Sequence, residues 1–187
     1  MSYMQWRNSP LRFGLVGILL HWSVALTVFG LFGLGLWMRG LDYYSPWYRT
    51  APDIHKSIGI LLFLVMLLRL AWRFVSPPPE PLPGHGPLTR LGSRIGHALL
   101  YLGLFALMIS GYLISTADGR PISVFGWFEV PALLSGLPNQ EDAAGEVHEL
   151  LAWGLVGLAI VHALAALKHH FIDRDATLLR MLGRDTR

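Results

Sequence analysis

The sequence predicts an all-α integral membrane protein, a four-helix bundle with both termini cytoplasmic. Three observations predict it. Four apolar stretches, at about 13–38, 54–75, 97–116 and 147–171, are each long enough, at about 1.5 Å per residue, to cross a hydrocarbon core of about 30 Å. The 187 residues are 53% hydrophobic and 14% charged, against about 25% charge in soluble domains, and the mean hydropathy is +0.46. Of the 15 Lys and Arg, only Arg39, Arg49, Lys56 and Arg120 fall on one side. The rest, from Arg7 to Arg187, fall on the side shared by the termini and the middle loop, which the positive-inside rule assigns to the cytoplasm. Residues 1–187 are read as a single transmembrane domain without an internal repeat.

Taken in order, 1–12 is a short polar lead. The first span, 13–38, is too long for a signal peptide, contains a histidine and is followed by no small-residue cleavage site. Residues 39–53 form a turn whose Tyr43, Tyr44, Trp47 and Tyr48 suit a membrane interface. His55 and Lys56 stand at the entry of the second span. SPPPEPLPGHGP follows, stiff and non-helical. A basic run-up, 88–96, leads to the third span. The longest connection, 117–145, holds VFGWFEVPALLSGL, read either as a short interfacial helix or re-entrant lid or as an ordered loop. The fourth span precedes a polar tail.

The chain has no cysteine, which removes disulfides, thiolate iron–sulfur clusters, thiolate haem ligation and c-type haem attachment. A metal site must therefore use His, carboxylate or Met. No basic cluster with interleaved aromatics points to nucleic acid; the lipid bilayer is the partner that composition requires.

The histidines carry the chemistry. Fourteen helical positions are about 40° short of four turns, with a rise of about 21 Å, so His148 and His162 share one face of the fourth span at different depths. His169 continues the stripe. Ionisable groups inside a span are costly and point to function. His21 and His162 match in depth, as do His55 and His148, so four histidines form two pairs about 21 Å apart by helix rise. Zinc wants four ligands converging on one atom; two bis-imidazole pairs with apolar walls suit b-type haem iron better. Separate interhelical hydrogen bonds are the plainer alternative. Fourteen on from His21 is Gly35, which leaves room for a macrocycle edge or simply packs helices. Fourteen on from His55 is Arg69, placed to neutralise propionates or to snorkel. Val28, Leu62 and Leu155 fill the middle with apolar side chains. His85 is expected to be solvated, and His170 to point to water or headgroups. His97 is expected to make an interfacial hydrogen bond, or to serve a quinone or a propionate. His169 suits proton delivery to a reduced quinone, because imidazole titrates near neutrality.

Leu20-His21-Trp22, IHKSIGI (54–60), RLGSRIGHALLYL (90–102), SGYLISTADGRPISVFG (110–126), VHELLAW (147–153) and IVHALAALKHHFIDRDATLLRML (160–182) together resemble the bacterial four-helix cytochrome b561 family over nearly the whole chain. The resemblance implies a multi-pass inner-membrane protein with two haem b groups. His21 and His162 would ligate the cytoplasmic iron, and His55 and His148 the periplasmic iron. It also implies a superoxide:ubiquinone oxidoreductase, with ubiquinone meeting His169. One departure stands out. Asp118, Glu129, Glu141, Asp142 and Glu146 outnumber Arg120 in the long loop, whereas a superoxide anion is drawn by a positive funnel; Lys56 and Arg120 remain as a local cationic pocket. The expected activity is electron transfer from a periplasmic one-electron donor, superoxide or a small protein, to membrane quinone. The rival is a non-catalytic haem-bearing relay subunit for a periplasmic partner. A proton-coupled transporter lacks intramembrane carboxylates and an inverted repeat.

Overall fold

The computed structural model describes residues 5–184. Residues 1–4 of the polar lead, and Arg187 among the basic residues counted above, lie outside them. The apolar stretches are four long helices suited to a membrane four-helix bundle: α1 (Leu15–Arg39), α2 (Thr50–Val75), α3 (Pro87–Ser115) and α4 (Gln140–Phe171). The last three begin earlier than the apolar pattern suggests, because their first turns are polar. Local signals explain those starts. Pro87 opens α3, where a missing N–H is harmless. Asp53 and the pair Glu141 and Asp142 lie in the first turns of α2 and α4, where the helix dipole favours negative charge. Large apolar side chains such as Leu26, Leu102 and Leu150 are exposed, as lipid-facing residues of a spanning helix would be.

The chain divides into two compact units. The terminal unit holds the chain up to Ala25, Val65–Leu100 and the chain from Gly157. Asn8 ties its lead to the end of α2, the Asn8 backbone N–H donating to Ser76 Oγ and its side-chain amide to the Ser76 carbonyl, both at 2.8 Å. The tail is not merely polar: it forms a short helix, α5 (Thr177–Met181). Trp22 Nε1 of α1 donates to the Met181 carbonyl at 2.9 Å, and Arg180 donates to the Glu80 carbonyl of the proline-rich loop at 2.8 Å.

The hairpin unit holds Leu26–Leu64 and Tyr101–Val156. Part of the stretch read as an interfacial helix or lid is an antiparallel hairpin, β1 (Ile122–Val124) and β2 (Phe128–Val130), with Val124 opposite Phe128; an irregular loop follows it to Asn139. The turn is tight, with Phe125 and Gly126 at φ of 50° and 73°, and it accounts for the glycine. Buried Ile122 and Val124 face inward in the period of two that a strand dictates. Ser57 pins the hairpin to α2: its hydroxyl donates to the Ser123 carbonyl at 3.3 Å and accepts from the Phe125 N–H at 3.2 Å. Gln140, 8% exposed, locks the entry to α4 by donating to the Leu113 and Leu134 carbonyls at 3.0 and 3.2 Å.

Candidate functional site

In the hairpin unit, α2 and α4 bring His55 and His148 together, ring centres 6.3 Å apart and planes 71° apart. Two imidazoles on opposite sides of one metal ion, with bonds of about 2.0 Å and roughly 1.1 Å from nitrogen to ring centre, would have centres about 6.2 Å apart. His148 is aimed by its surroundings. Its Nδ1 lies 2.9 Å from the Leu107 carbonyl, which can only accept, so the proton is on Nδ1 and the lone pair is on Nε2, the tautomer a metal needs. Ser110 Oγ donates to the same carbonyl at 2.8 Å. His55 Nδ1 is buried with no partner among the described residues, a state that costs about 1–3 kcal/mol.

A glycine faces each ring, and at Gly111 a side chain would press on the imidazole. A Cβ on Gly35 would lie 3.4 Å from His55 Cε1, and one on Gly111 would lie 3.0 Å from His148 Cε1. A cavity of about 980 Å³ opens beside both histidines and is walled by Val28, Leu62 and Leu155, near the top of the range of about 300–1,000 Å³ for cofactor sites. An orphaned ring nitrogen, a lone pair held ready and a large apolar cavity fit a haem. The cations around this cavity have carboxylate partners. Arg39 pairs with Glu149, Lys56 with Asp53 at 2.9 Å, and Arg120 Nε with Asp118 at 2.6 Å. The Arg120 hydrogen bonds hold the Asp118 carboxyl below the usual carboxylate range. The cationic pocket anticipated at Lys56 and Arg120 is thus charge-balanced.

In the terminal unit, His21 of α1 and His162 of α4 have ring centres 6.2 Å apart, close to the other pair. Their neighbours differ. His97 does make a hydrogen bond, its Nδ1 lying 2.7 Å from the Ser93 carbonyl. Its ring also stacks edge-on to His162 at 5.2 Å, so it belongs to the site. Arg69 Nη2 lies 3.0 Å from His21 Nδ1. A guanidinium only donates, so Nδ1 accepts and the His21 proton is on Nε2, opposite to His148. Ligation by His21 Nε2 requires Arg69 to leave Nδ1.

His169 is 17% exposed on its side chain, and its Nδ1 lies 2.8 Å from Asp175 Oδ2 and 2.9 Å from Asp173 Oδ2. His85 is not solvated as expected: its side chain is 17% exposed and its Nε2 lies 3.0 Å from Asp175 Oδ2. Partial burial alone would raise the Asp175 carboxyl, but hydrogen bonding from Thr177 and His85, with His169 nearby, holds it well below the usual carboxylate range. His170 packs edge-on against Phe171.

Sequence reasoning missed Gly111, Ser110 and the two aspartates. Gly111 was within reach, because it stands 14 residues after His97, just as Gly35 stands 14 after His21. The aspartates meet the histidines through chain turns outside the spans, where no periodicity operates.

Four apolar spans with histidines facing one another inside each unit define the class of membrane proteins that carry a cofactor between helices. A model of one such family, prokaryotic cytochrome b561, matches residues 12–184, and the chain belongs to that family of haem b membrane proteins, which move electrons across the bilayer. It is 56% identical to cytochrome b561 homolog 2 of Escherichia coli K12, covering 98% of this chain and 97% of that one. It is 32% identical to the probable superoxide oxidase CybB of Yersinia pestis, over 91% and 96% of the two chains. A probable Ni/Fe-hydrogenase B-type cytochrome subunit of Rhodobacter capsulatus is 25% identical over 63% of this chain and 43% of its own.

Proposed function

We propose that the chain transfers single electrons from a periplasmic donor to membrane quinone near the cytoplasmic face, in a bacterial inner membrane with both termini cytoplasmic. His55 and His148 hold one haem b and His21 and His162 a second; these groups supply reversible one-electron chemistry. The observation that carries the reading is the two imidazole pairs, with centres 6.3 and 6.2 Å apart, one of them beside a cavity of cofactor size. The Leu107 carbonyl fixes the tautomer of His148, and Gly111 leaves space for its ring. Arg69 and His97 supply charge and polarity beside the second pair. His169, poised between two carboxylates, delivers protons to quinone, which becomes quinol on gaining two electrons and two protons. With superoxide as donor, two anions lose one electron each and leave as dioxygen.

Pyridine haemochrome analysis with protein quantitation tests the reading. About two haem b per chain is expected; a colourless protein would overturn it. The Yersinia relative's name supports superoxide as donor, while the balanced charges around Lys56 and Arg120 favour no anion. A second reading, a relay subunit docked to a periplasmic partner, draws on the acidic 118–146 connection, on exposed Tyr43, Tyr44 and Trp47, and on the hydrogenase-subunit relative. Quinol formation from superoxide and quinone by the purified chain alone decides between them, because a relay needs its partner.

A further inference from the structure

The cluster of His85, His169 and Asp175 is more elaborate than proton delivery requires. It joins three separate segments of the terminal unit: the proline-rich loop, the last turn of α4 and the link to α5. We propose that it is a binding site for a divalent transition-metal ion, with zinc the ion of matching chemistry. His85 Nε2 and His169 Nδ1 converge on one oxygen, Asp175 Oδ2, at 3.0 and 2.8 Å, and the donor atoms all lie within 4.8 Å of one another. A tetrahedral site with bonds of about 2.0 Å sets its donor atoms about 3.3 Å apart, so the two contacts to Asp175 Oδ2 need lengthen by only a few tenths of an ångström to admit an ion.

The ring spacing separates this cluster from the haem-type pairs. Two imidazoles on one tetrahedral ion have centres about 5.1 Å apart, against about 6.2 Å for a pair on opposite sides of an ion. His85 and His169 stand at 4.9 Å, whereas His21–His162 and His55–His148 stand at 6.2 and 6.3 Å; His97 and His162, at 5.2 Å, share the closer spacing but belong to no three-ligand cluster among the described residues. The fourth position falls to water, because Asp173 Oδ2 is held by Lys168 Nζ at 2.7 Å. The ligands are held from behind, as metal ligands commonly are. The Thr177 N–H donates to Asp175 Oδ1 at 2.8 Å, leaving Oδ2 for the ion. The Asp175 N–H donates to the His169 carbonyl at 3.0 Å, and Arg90 Nε donates to the His85 carbonyl at 2.8 Å. Two imidazoles and a carboxylate suit zinc better than magnesium or calcium, which prefer all-oxygen sites.

Zinc would occupy the His169 nitrogen that the proposed function uses for protons, so it should slow quinone reduction. That consequence rests on the proposed function; the site itself does not. The test uses the haem-loaded protein, stripped of adventitious metal with a chelator and titrated with Zn²⁺ by calorimetry, with retained zinc measured by elemental analysis after dialysis. One zinc per chain is expected. Asp175→Asn and His85→Gln should each weaken binding at least about tenfold with the haem spectrum unchanged. The glutamine retains an N–H for Asp175, so a purely structural role would survive it. Without any variant, zinc should protect His85 and His169, but not His170, from diethylpyrocarbonate. No bound zinc, zinc held equally by both variants, or unprotected His85 would overturn the site. Zinc that binds without slowing quinone reduction would leave the site standing and overturn the proton role of His169.

Discussion

The two units pair imidazoles at nearly the same separation and surround them in opposite ways. In the hairpin unit His148 is anchored by a backbone carbonyl, Gly111 clears space for its ring, and the cations around the cavity each have a carboxylate partner. In the terminal unit a guanidinium sits on His21 and a third imidazole stacks on His162. The first site is shaped; the second is charged. A nearby cation stabilises a haem that has gained an electron and so raises its potential. Under the proposed function, with a haem held by each pair, this difference would make the charged site the better electron acceptor.

The largest expected effect breaks one site and leaves the other. His148→Ala should reduce haem content from about two to about one per chain, since His55 alone would hold the group far more weakly than two imidazoles. The remaining haem should stay low-spin by electron paramagnetic resonance. His21→Ala should do the converse, and loss of both haems in either variant would show that the sites do not load independently. A smaller effect probes shape alone. Gly111→Val places a branched side chain where even a Cβ lies 3.0 Å from His148. It should lower occupancy of that site severalfold, while Gly30→Ala, with nothing within 4 Å, should leave both haems in place.

The charge half of the comparison is tested at Arg69. A unit charge about 8 Å away, at an effective dielectric of about 20, is worth about 2 kcal/mol, or roughly 90 mV for one electron, and solvent screening reduces it. Arg69→Gln should lower the potential of one haem by on the order of 50 mV and leave the other within about 10 mV in a redox titration. An unchanged pair of potentials would remove the electrostatic ordering.

Much of this contrast was legible in the sequence, and the rest was hidden for physical reasons. That His21 meets His162 and His55 meets His148 follows from a fixed rise and twist per residue, which place a side chain in depth and direction before any packing is known. The face and depth of Arg69 followed in the same way, but its partner did not, because a long flexible side chain chooses among several groups within reach. The hairpin was hidden because strands of three residues are too short to establish a period of two against the apolar background of 122–137. His85 was read as solvated because its partner, Asp175, lies 90 residues away, across turns whose path no periodicity dictates.

The smallest expected effect concerns the donor. An anion steered by a cationic funnel reacts at a rate that falls steeply with ionic strength. Here Lys56, Arg120 and Arg39 each face a carboxylate, so a superoxide anion meets local dipoles rather than a net positive field. Stopped-flow haem reduction by superoxide should change less than about twofold between about 0.01 and 0.15 M ionic strength, although the Debye length falls from about 30 to about 8 Å over that range. Arg120→Ala removes a charge that is already paired, and it exposes Asp118 to the approaching anion. It should slow reduction by no more than about threefold. A steep salt dependence that Arg120→Ala abolishes would mean that the Arg120–Asp118 pair opens in solution, and it would restore the cationic pocket and with it the case for superoxide steering.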